Sequence, residues 1–122
     1  MDMRIELILL PVSDVDRAKA FYVDRVGFTL DHDVQPGNGM RVVQLTPHGS
    51  SCSIGFGTGM IEPSSPPVQA IHLVVDDIDA VRSALAVNGV DVSAVQDVGG
   101  GVRYAYFSDP DRNSWALQEI HR

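Results

Sequence analysis

Hydrophobic and polar positions follow one plan twice along the chain. Mostly leucine, isoleucine and valine residues occupy Ile5–Val12 and Ala70–Val75, which favours two short strands. The segment that begins at Leu9, LLPVSDVDRAKAF, aligns with the segment that begins at His72, HLVVDDIDAVRSA, so that apolar and acidic positions coincide. The chain therefore consists of two copies of one unit of about half its length.

A helix is predicted after each of these strands. Each helix has a pair of N-cap candidates, then apolar positions at helical spacing, and then a glycine, Gly27 or Gly89, suited to a left-handed C-cap. One residue is lost from the second copy before its glycine. The N-cap candidates are Ser13 or Asp14 and Asp76 or Asp77, and the apolar positions are Val15, Ala18, Phe21, Tyr22, Ile78, Val81, Ala84 and Leu85.

Three further strands are predicted in each copy. They are Phe28–Val34, Arg41–Thr46 and Cys52–Gly57, followed by Val90–Val95, Val102–Phe107 and Ser114–Ile120. Gly, Ser and Pro are concentrated between the copies, which is typical of a linker. The pattern predicts a single domain of residues 1–122, built from βαβββ modules 1–58 and 68–122 joined by linker 59–67.

Charge and composition narrow the classes of function. The chain has 122 residues and a formal net charge of −7, and its 9 basic residues are scattered, so we expect neither nucleic-acid nor membrane-surface binding. No apolar segment reaches the roughly 18 residues that span a bilayer. Cys52 is the only cysteine, which fits a reduced, cytoplasmic setting.

Three segments carry a family resemblance: PVSDVDRAKAFYVDRVGF, its echo HLVVDDIDAVRSALAVNGVDV, and YFSDPDRNSWALQE. Together they resemble the vicinal-oxygen-chelate superfamily, which includes glyoxalase I, bleomycin-resistance proteins, extradiol dioxygenases and fosfomycin-modifying enzymes. The resemblance implies an α+β fold in which two tandem βαβββ modules form curled sheets around a cup, with helices on the outer face, and a homodimer. Arg112 departs from the family's usual glycine, but Asn113 tolerates a left-handed conformation, so we expect the turn to form.

The resemblance also implies where a metal would bind. Metal-dependent members place one ligand on the first and one on the last strand of each module, and these positions correspond to Leu7, Gly55, Ala70 and Ala116. None of these side chains coordinates a cation. A register shift of two residues brings only His72 and Gln118 into play, which is too small a set. We therefore expect no metal, no other cofactor, and neither glyoxalase I, dioxygenase nor metal-dependent thiol-transfer chemistry.

Alternation along the strands indicates what lines the cup instead. The inward set is mostly apolar and includes two phenols, one imidazole and two carboxamides, a lining that suits a small hydrophobic or aromatic ligand. The expected ligand-binding residues are Leu7, Leu9, Gln44, Ser53, His72, Tyr104, Tyr106 and Gln118, and Val42 is expected on the same face.

Each polar candidate also has a structural interpretation. His72 is either a core histidine or an acid–base or ligand-orienting group. Tyr104 and Tyr106 could instead serve packing or dimer contacts, and Trp115 is assigned to the core. His32 is expected on the opposite face from Asp31 and Asp33, which argues against a metal cluster there.

Two function classes remain open. The first is a metal-free binding protein for a small hydrophobic or aromatic compound, similar to the drug-binding resistance proteins of the superfamily. The second is a metal-independent isomerase, lyase or cyclase that uses His72 as acid or base and Tyr104 or Tyr106 to polarise an oxygen. A third and weaker option is a degenerate interaction subunit. One histidine without a carboxylate partner favours the binding protein.

Overall fold

We describe the protein from a computed structural model that covers residues 1–121. The chain divides into two compact units at the junction of Pro67 and Val68. Arg122, the last residue of the second predicted module, lies outside the described residues. The first module contains β1 (Leu7–Leu9), α1 (Val15–Ala20), a π-helical turn (Phe21–Val26), β2 (Thr29–Gly37), β3 (Met40–Thr46) and β4 (Ser53–Thr58). The second contains β5 (Ile71–Val74), α2 (Ile78–Val87), β6 (Gln96–Gly99), β7 (Val102–Ser108) and β8 (Ser114–Ile120).

Each module forms a four-stranded mixed sheet of the same topology. The strand orders are β1-β4-β3-β2 and β5-β8-β7-β6. The first strand of each module runs parallel to the last, and the other pairs are antiparallel. The predicted α+β fold with two βαβββ modules is confirmed. No helix within residues 1–121 is both long enough and apolar enough to cross a bilayer.

The second aspartate of each candidate pair begins the helix. Asp14 Oδ1 accepts a hydrogen bond from the Arg17 amide at 3.0 Å. Asp77 Oδ1 accepts one from the Ala80 amide at 3.1 Å. Each carboxylate satisfies an amide that has no partner within its own helix, and its charge lies at the positive end of the helix dipole.

The extra residue of the first copy is absorbed by the π-helical turn. There the Gly27 amide donates to the Tyr22 carbonyl five residues earlier, at 3.0 Å. Gly27 then ends the helix at φ 90°, and Gly89 has φ 87° after α2. Both glycines therefore adopt the predicted left-handed conformation, although the spacing from N-cap aspartate to glycine is one residue longer in the first module.

A hydrophobic core lies on the helix side of each sheet. In the first module Tyr22 is fully buried and packs against Phe56, with ring centroids 5.9 Å apart. In the second module the rings of Phe107 and Trp115 stack at 6.2 Å, and Ile78 of α2 is fully buried. Trp115 is 1% exposed, as predicted for a core residue.

One predicted strand was wrong. Val90–Val95 contains two buried valines but no strand, and pairing with β7 begins only at Gln96. Ser93 explains the interruption, because its hydroxyl, rather than its carbonyl, accepts the Tyr106 amide at 2.9 Å. The Ser93 carbonyl instead accepts from the Arg82 side chain at 2.6 Å. One backbone bond to β7 remains, from the Ser93 amide to the Tyr106 carbonyl at 2.9 Å, and a side chain takes the place of its return bond.

The Asp109–Asn113 turn forms as predicted. Arg112 itself is left-handed, with φ 69°, and Asn113 is not. Asp109 fixes the turn, since its Oδ1 accepts the amides of Asp111 and Asn113, both at 2.9 Å. The Asn113 side chain is fully buried, and its Oδ1 accepts the Val68 amide at 2.9 Å. Asn113 therefore holds the start of the second module and has no freedom to take the left-handed role.

Candidate functional site

Four of the predicted site residues share the open face of the second sheet, opposite α2. Across the β7–β8 ladder Tyr104 pairs with Gln118 and Tyr106 with Ala116. His72 on β5 flanks Ala116 from the other side. Residues that face each other in a ladder point to the same side of a sheet, so alternation placed this set correctly. The alternate residues Ala105, Phe107, Trp115 and Leu117 are buried on the helix side.

Three of these side chains form a chain of hydrogen bonds. The Gln118 amide nitrogen donates to the Tyr104 hydroxyl at 2.9 Å. The Tyr104 hydroxyl lies 3.3 Å from His72 Nε2, and His72 Nδ1 lies 2.8 Å from the carbonyl oxygen of Ala70. The imidazole and the phenol also meet edge to face, with centroids 5.5 Å apart. The chain orients all three polar groups on the open face.

Tyr106 extends this cluster as an exposed aromatic surface. Its ring is parallel to that of Tyr104 within 5°, with centroids 5.8 Å apart. The side chain is 42% exposed, so part of its ring is accessible to a partner or ligand. Ala116 is fully buried at the same level of the sheet, where a larger side chain would displace its neighbours.

Sequence reasoning did not identify the carbonyl of Ala70 as part of the site. Ala70 has φ 56°, a left-handed conformation that costs about 1 to 2 kcal/mol for a residue with a Cβ. Its amide donates to Ser114 Oγ at 2.7 Å, and its carbonyl accepts from His72. The residue type alanine does not reveal that its backbone carbonyl acts as an acceptor. Backbone strain such as the positive φ of Ala70 is concentrated at functional sites.

The open face of the first sheet presents leucines beside several polar side chains. Leu7 pairs with Ser53, and Gly55 lies between Leu9 and Gln44. A Cβ placed on Gly55 would lie 3.2 Å from Leu7 and 3.3 Å from Leu9, so these leucines cover the backbone there. The hydroxyl of Ser53 is hydrogen-bonded to Thr46 at 2.7 Å. The predicted residues Leu7, Leu9, Gln44 and Ser53 thus share one face of their own module.

A β-bulge in β2 changes the predicted placement of the residues around His32. The register of β2 against β3 shifts between Leu30 and His32, and His32 pairs with Gln44 on the open side. Asp31 reaches the same side, where its carboxylate accepts a hydrogen bond from Thr46 Oγ1 at 2.5 Å. Asp33 alone lies on the helix side, where Arg41 and Lys19 hold the pKa of its carboxyl well below the ordinary value. The prediction that both aspartates oppose the histidine was wrong, because a bulge adds a residue to one strand.

The family's metal positions do not fit a cation. Leu7, Gly55, Ala70 and Ala116 offer no donor side chain, and the nearest polar groups of the second sheet are bonded to one another. Residues 1–121 contain no group of three or more His, Cys, Asp or Glu side chains that could hold a metal ion. The donor set therefore gives no basis for metal-assisted chemistry, and metal independence stays a prediction.

The acidic residue of β8, Glu119, lies on the helix side of the second sheet, where it is structural. Glu119 is buried, and its carboxylate accepts the Ile78 amide at 2.8 Å and binds Arg103 at 2.8 Å. The Ile78 amide and then the Arg103 guanidinium lower the pKa of Glu119 to about 2. Glu119 thus completes the N-terminus of α2, and it shares the face of Trp115 as predicted.

Comparisons with known proteins agree with this architecture. The chain is 35% identical to TnmS3, an antibiotic binding protein from Streptomyces sp. CB03234, with a TM-score of 0.83 and coverage of 98% of both chains. It is 37% identical to a glyoxalase/bleomycin resistance protein from the same organism, with a TM-score of 0.76 over 93% of this chain and 98% of that one. A superfamily member from Sphaerobacter thermophilus DSM 20745 is 30% identical, with a TM-score of 0.83 over 97% and 98% of the two chains.

Curated relatives are longer. The CFP32 proteins of Mycobacterium bovis and Mycobacterium tuberculosis are 28% identical over 120 residues, which is 93% of this chain but 44% of theirs. The chain thus spans a little under half the length of these curated relatives. The family model of the Glyoxalase/Bleomycin resistance protein/Dioxygenase superfamily matches residues 4–117, and the chain belongs to that superfamily.

Proposed function

We propose that the protein binds a small hydrophobic or aromatic molecule without a metal ion. The observation that carries this proposal is the exposed ring of Tyr106, which stacks on the ring of Tyr104, whose hydroxyl group is already oriented by Gln118 and His72. A rigid aromatic surface beside a few fixed polar groups provides contact area and orientation at little entropic cost. The proposed contacts are Leu7, Leu9, Gln44, Ser53, His72, Tyr104, Tyr106 and Gln118.

The similarity to TnmS3 supports binding rather than turnover. That protein is described as antibiotic binding, and its identity of 35% extends over nearly the whole of both chains. In β5, β7 and β8, which are described in full, Glu119 is the one carboxylate, and it is bound to Arg103 on the side of the sheet opposite His72. A ligand held by contact and a few hydrogen bonds needs no such partner.

Thermal-shift and calorimetric titrations test the proposal. The panel consists of planar aromatic antibiotics and, for contrast, aminoglycosides, each with protein dialysed against EDTA. We expect aromatic compounds alone to bind, and Tyr106→Ala to weaken their affinity by about tenfold, which corresponds to about 1.4 kcal/mol. Val87→Ala, which removes an 86% exposed apolar side chain from α2, serves as control and should leave affinity unchanged.

Two outcomes would contradict the proposal. If no aromatic compound binds, or if binding appears only when a divalent metal is restored, the metal-free binding function is wrong. If Tyr106→Ala and Val87→Ala behave alike, the ligand does not use the aromatic surface.

A metal-independent isomerase, lyase or cyclase is the second candidate. It is favoured by one observation: the carbonyl of Ala70 holds Nδ1 of His72, so that Nε2 can act as a base. The test is whether a bound compound is recovered chemically unchanged. Turnover that disappears in His72→Ala would establish this candidate, and recovery of intact ligand from the wild-type protein would exclude it for that compound.

The proposal also includes assembly and location. We infer a homodimer, cytoplasmic residence, and one domain formed by modules 1–58 and 68–122 with linker 59–67. Sedimentation of the purified chain tests the dimer, since a monomer at all concentrations would contradict it.

A further inference from the structure

The hydrogen bonds on the open face of the second sheet have only one consistent direction when His72 is neutral. The Ala70 carbonyl is solely an acceptor, so the atom 2.8 Å from it, His72 Nδ1, must carry the proton. Nε2 of a neutral imidazole then has a lone pair and no hydrogen. The Tyr104 hydroxyl, 3.3 Å from Nε2, must therefore donate its proton to His72.

This direction determines the orientation of Gln118 as well. A phenol has a single proton, and that proton is committed to His72. The group of Gln118 that lies 2.9 Å from the Tyr104 oxygen must consequently be the amide nitrogen, as observed, which leaves the Oε1 atom facing away from the phenol. Within residues 1–121, Gln118 Oε1 accepts no hydrogen bond from another side chain.

We propose that this directed chain selects aromatic ligands that carry a hydroxyl or N–H donor. Resting on the proposed function above, it names the class of ligand. One lone pair of the Tyr104 oxygen and the Gln118 Oε1 atom are two acceptors on one sheet face, next to the exposed ring of Tyr106. An aromatic hydroxyl that stacks on this ring donates to them, whereas an ether or ketone of the same shape presents another acceptor and leaves them unpaired.

Ala70 and His72 act as positioning residues in this scheme. The left-handed backbone of Ala70, tied to Ser114 Oγ, orients the carbonyl that decides which imidazole nitrogen is protonated. His72 Nε2 then accepts the Tyr104 hydroxyl proton and so fixes the orientation of that hydroxyl group. Neither residue needs to touch the ligand for the selection to operate.

The affinity test uses two probes of nearly equal shape, 2-naphthol and 2-methoxynaphthalene, titrated calorimetrically at pH 8. We expect wild-type protein to bind 2-naphthol about fivefold more tightly, which is the typical value of one net hydrogen bond. His72→Leu releases the Tyr104 proton and should bring the ratio close to one. His48→Leu replaces an exposed histidine of the β3–β4 loop as control, and should keep the wild-type ratio.

The results of this titration distinguish a failure of this inference from a failure of the proposed function. Equal binding of the two probes by wild-type protein overturns the selection of donors and leaves aromatic binding intact. An unchanged ratio in His72→Leu overturns the role of His72. Failure of both probes and of the aromatic antibiotics overturns the proposed function itself.

A second measurement needs neither ligand nor variant. The ¹⁵N chemical shifts of His72 in the wild-type protein at pH 8 distinguish the two neutral tautomers. We expect the proton on Nδ1, and a proton on Nε2 would overturn the directed chain whatever the probes do. Ala70→Gly should keep this tautomer, since glycine readily adopts φ 56°.

Discussion

The two modules share their helix side and differ on their open side. In both, the arginine of the third strand reaches the acidic residue in the first turn of the helix: Arg41 binds Asp16 at 2.8 Å, and Arg103 binds Asp79 at 3.1 Å. The same strand order and the same aspartate N-cap accompany this pair in each module. The helix side is thus a repeated scaffold.

The open sides carry different chemistry at equivalent places. Strand registers match Leu9 to His72, since each flanks the small residue at the middle of the last strand, Gly55 or Ala116. Continuing along the ladders matches Val42 and Gly57 to Tyr104 and Gln118. Every member of the hydrogen-bonded chain therefore corresponds to an apolar residue or a glycine in the first module. The helix side therefore repeats in both modules, whereas the hydrogen-bonded chain of His72, Tyr104 and Gln118 occurs on the open side of the second module.

The largest expected effect concerns the pair Gly57 and Gln118. A Cβ on Gly57 would lie 1.8 Å from the backbone carbonyl oxygen of Arg41, so the two strands would have to separate. We expect Gly57→Ala to lower the free energy of unfolding by about 3 kcal/mol or more. Gln118→Ala at the matching position should cost about 1 kcal/mol or less. Urea denaturation of both variants makes the comparison, and similar costs would show that the two positions are not distinguished by backbone approach.

An acid titration compares the two carboxylates that bind Arg103, the buried Glu119 and the exposed Asp79. The lowered pKa of Glu119, from 4.5 to about 2, means that its ionised form stabilises the fold above about pH 4.5, and that this contribution is lost as pH falls toward 2. We expect Glu119→Gln to have a lower urea midpoint than wild type at pH 6, with the gap closing between pH 4.5 and 2.

The matched control for Glu119 is Asp79→Asn, which removes the other partner of Arg103. The Asp79 side chain is 65% exposed, so solvent screens its ion pair, and this variant should stay close to wild type throughout the titration. A gap for Glu119→Gln that is independent of pH would mean that packing, and not charge, accounts for its role.

The smallest effect is expected at the connection between the last two strands. The first module places Gly49, at φ 85°, in this connection, whereas the second places Arg112 at φ 69°. Arg112→Gly should relieve the backbone strain and stabilise the protein by about 0.5 to 1 kcal/mol, because part of the gain is offset by greater freedom of the unfolded chain. The measurement is the shift of the urea midpoint, and a loss of stability would show that the Arg112 side chain makes a compensating contact.

The architecture could be predicted because the sequence contains two copies of the same βαβββ pattern. The N-cap aspartates, the helix-ending glycines and the alternation of β7 and β8 each follow from local chemistry that two copies confirm independently. The failures arose where one side chain or one backbone angle overrides the pattern. The Ser93 hydroxyl replaces a backbone hydrogen bond, and a bulge turns Asp31 to the other face of its sheet. The acceptor carbonyl of Ala70 has no signature in the sequence at all.

The π-helical turn at Phe21–Val26 has a consequence for how the chain tolerates changes in length. An additional residue in an α-helix normally rotates everything beyond it by about 100°. Here a single widened loop of backbone accommodates it, so Gly27 still ends the helix in the same left-handed geometry as Gly89. Insertion or deletion of one residue at this place is therefore a local event, and the sheet that follows keeps its register.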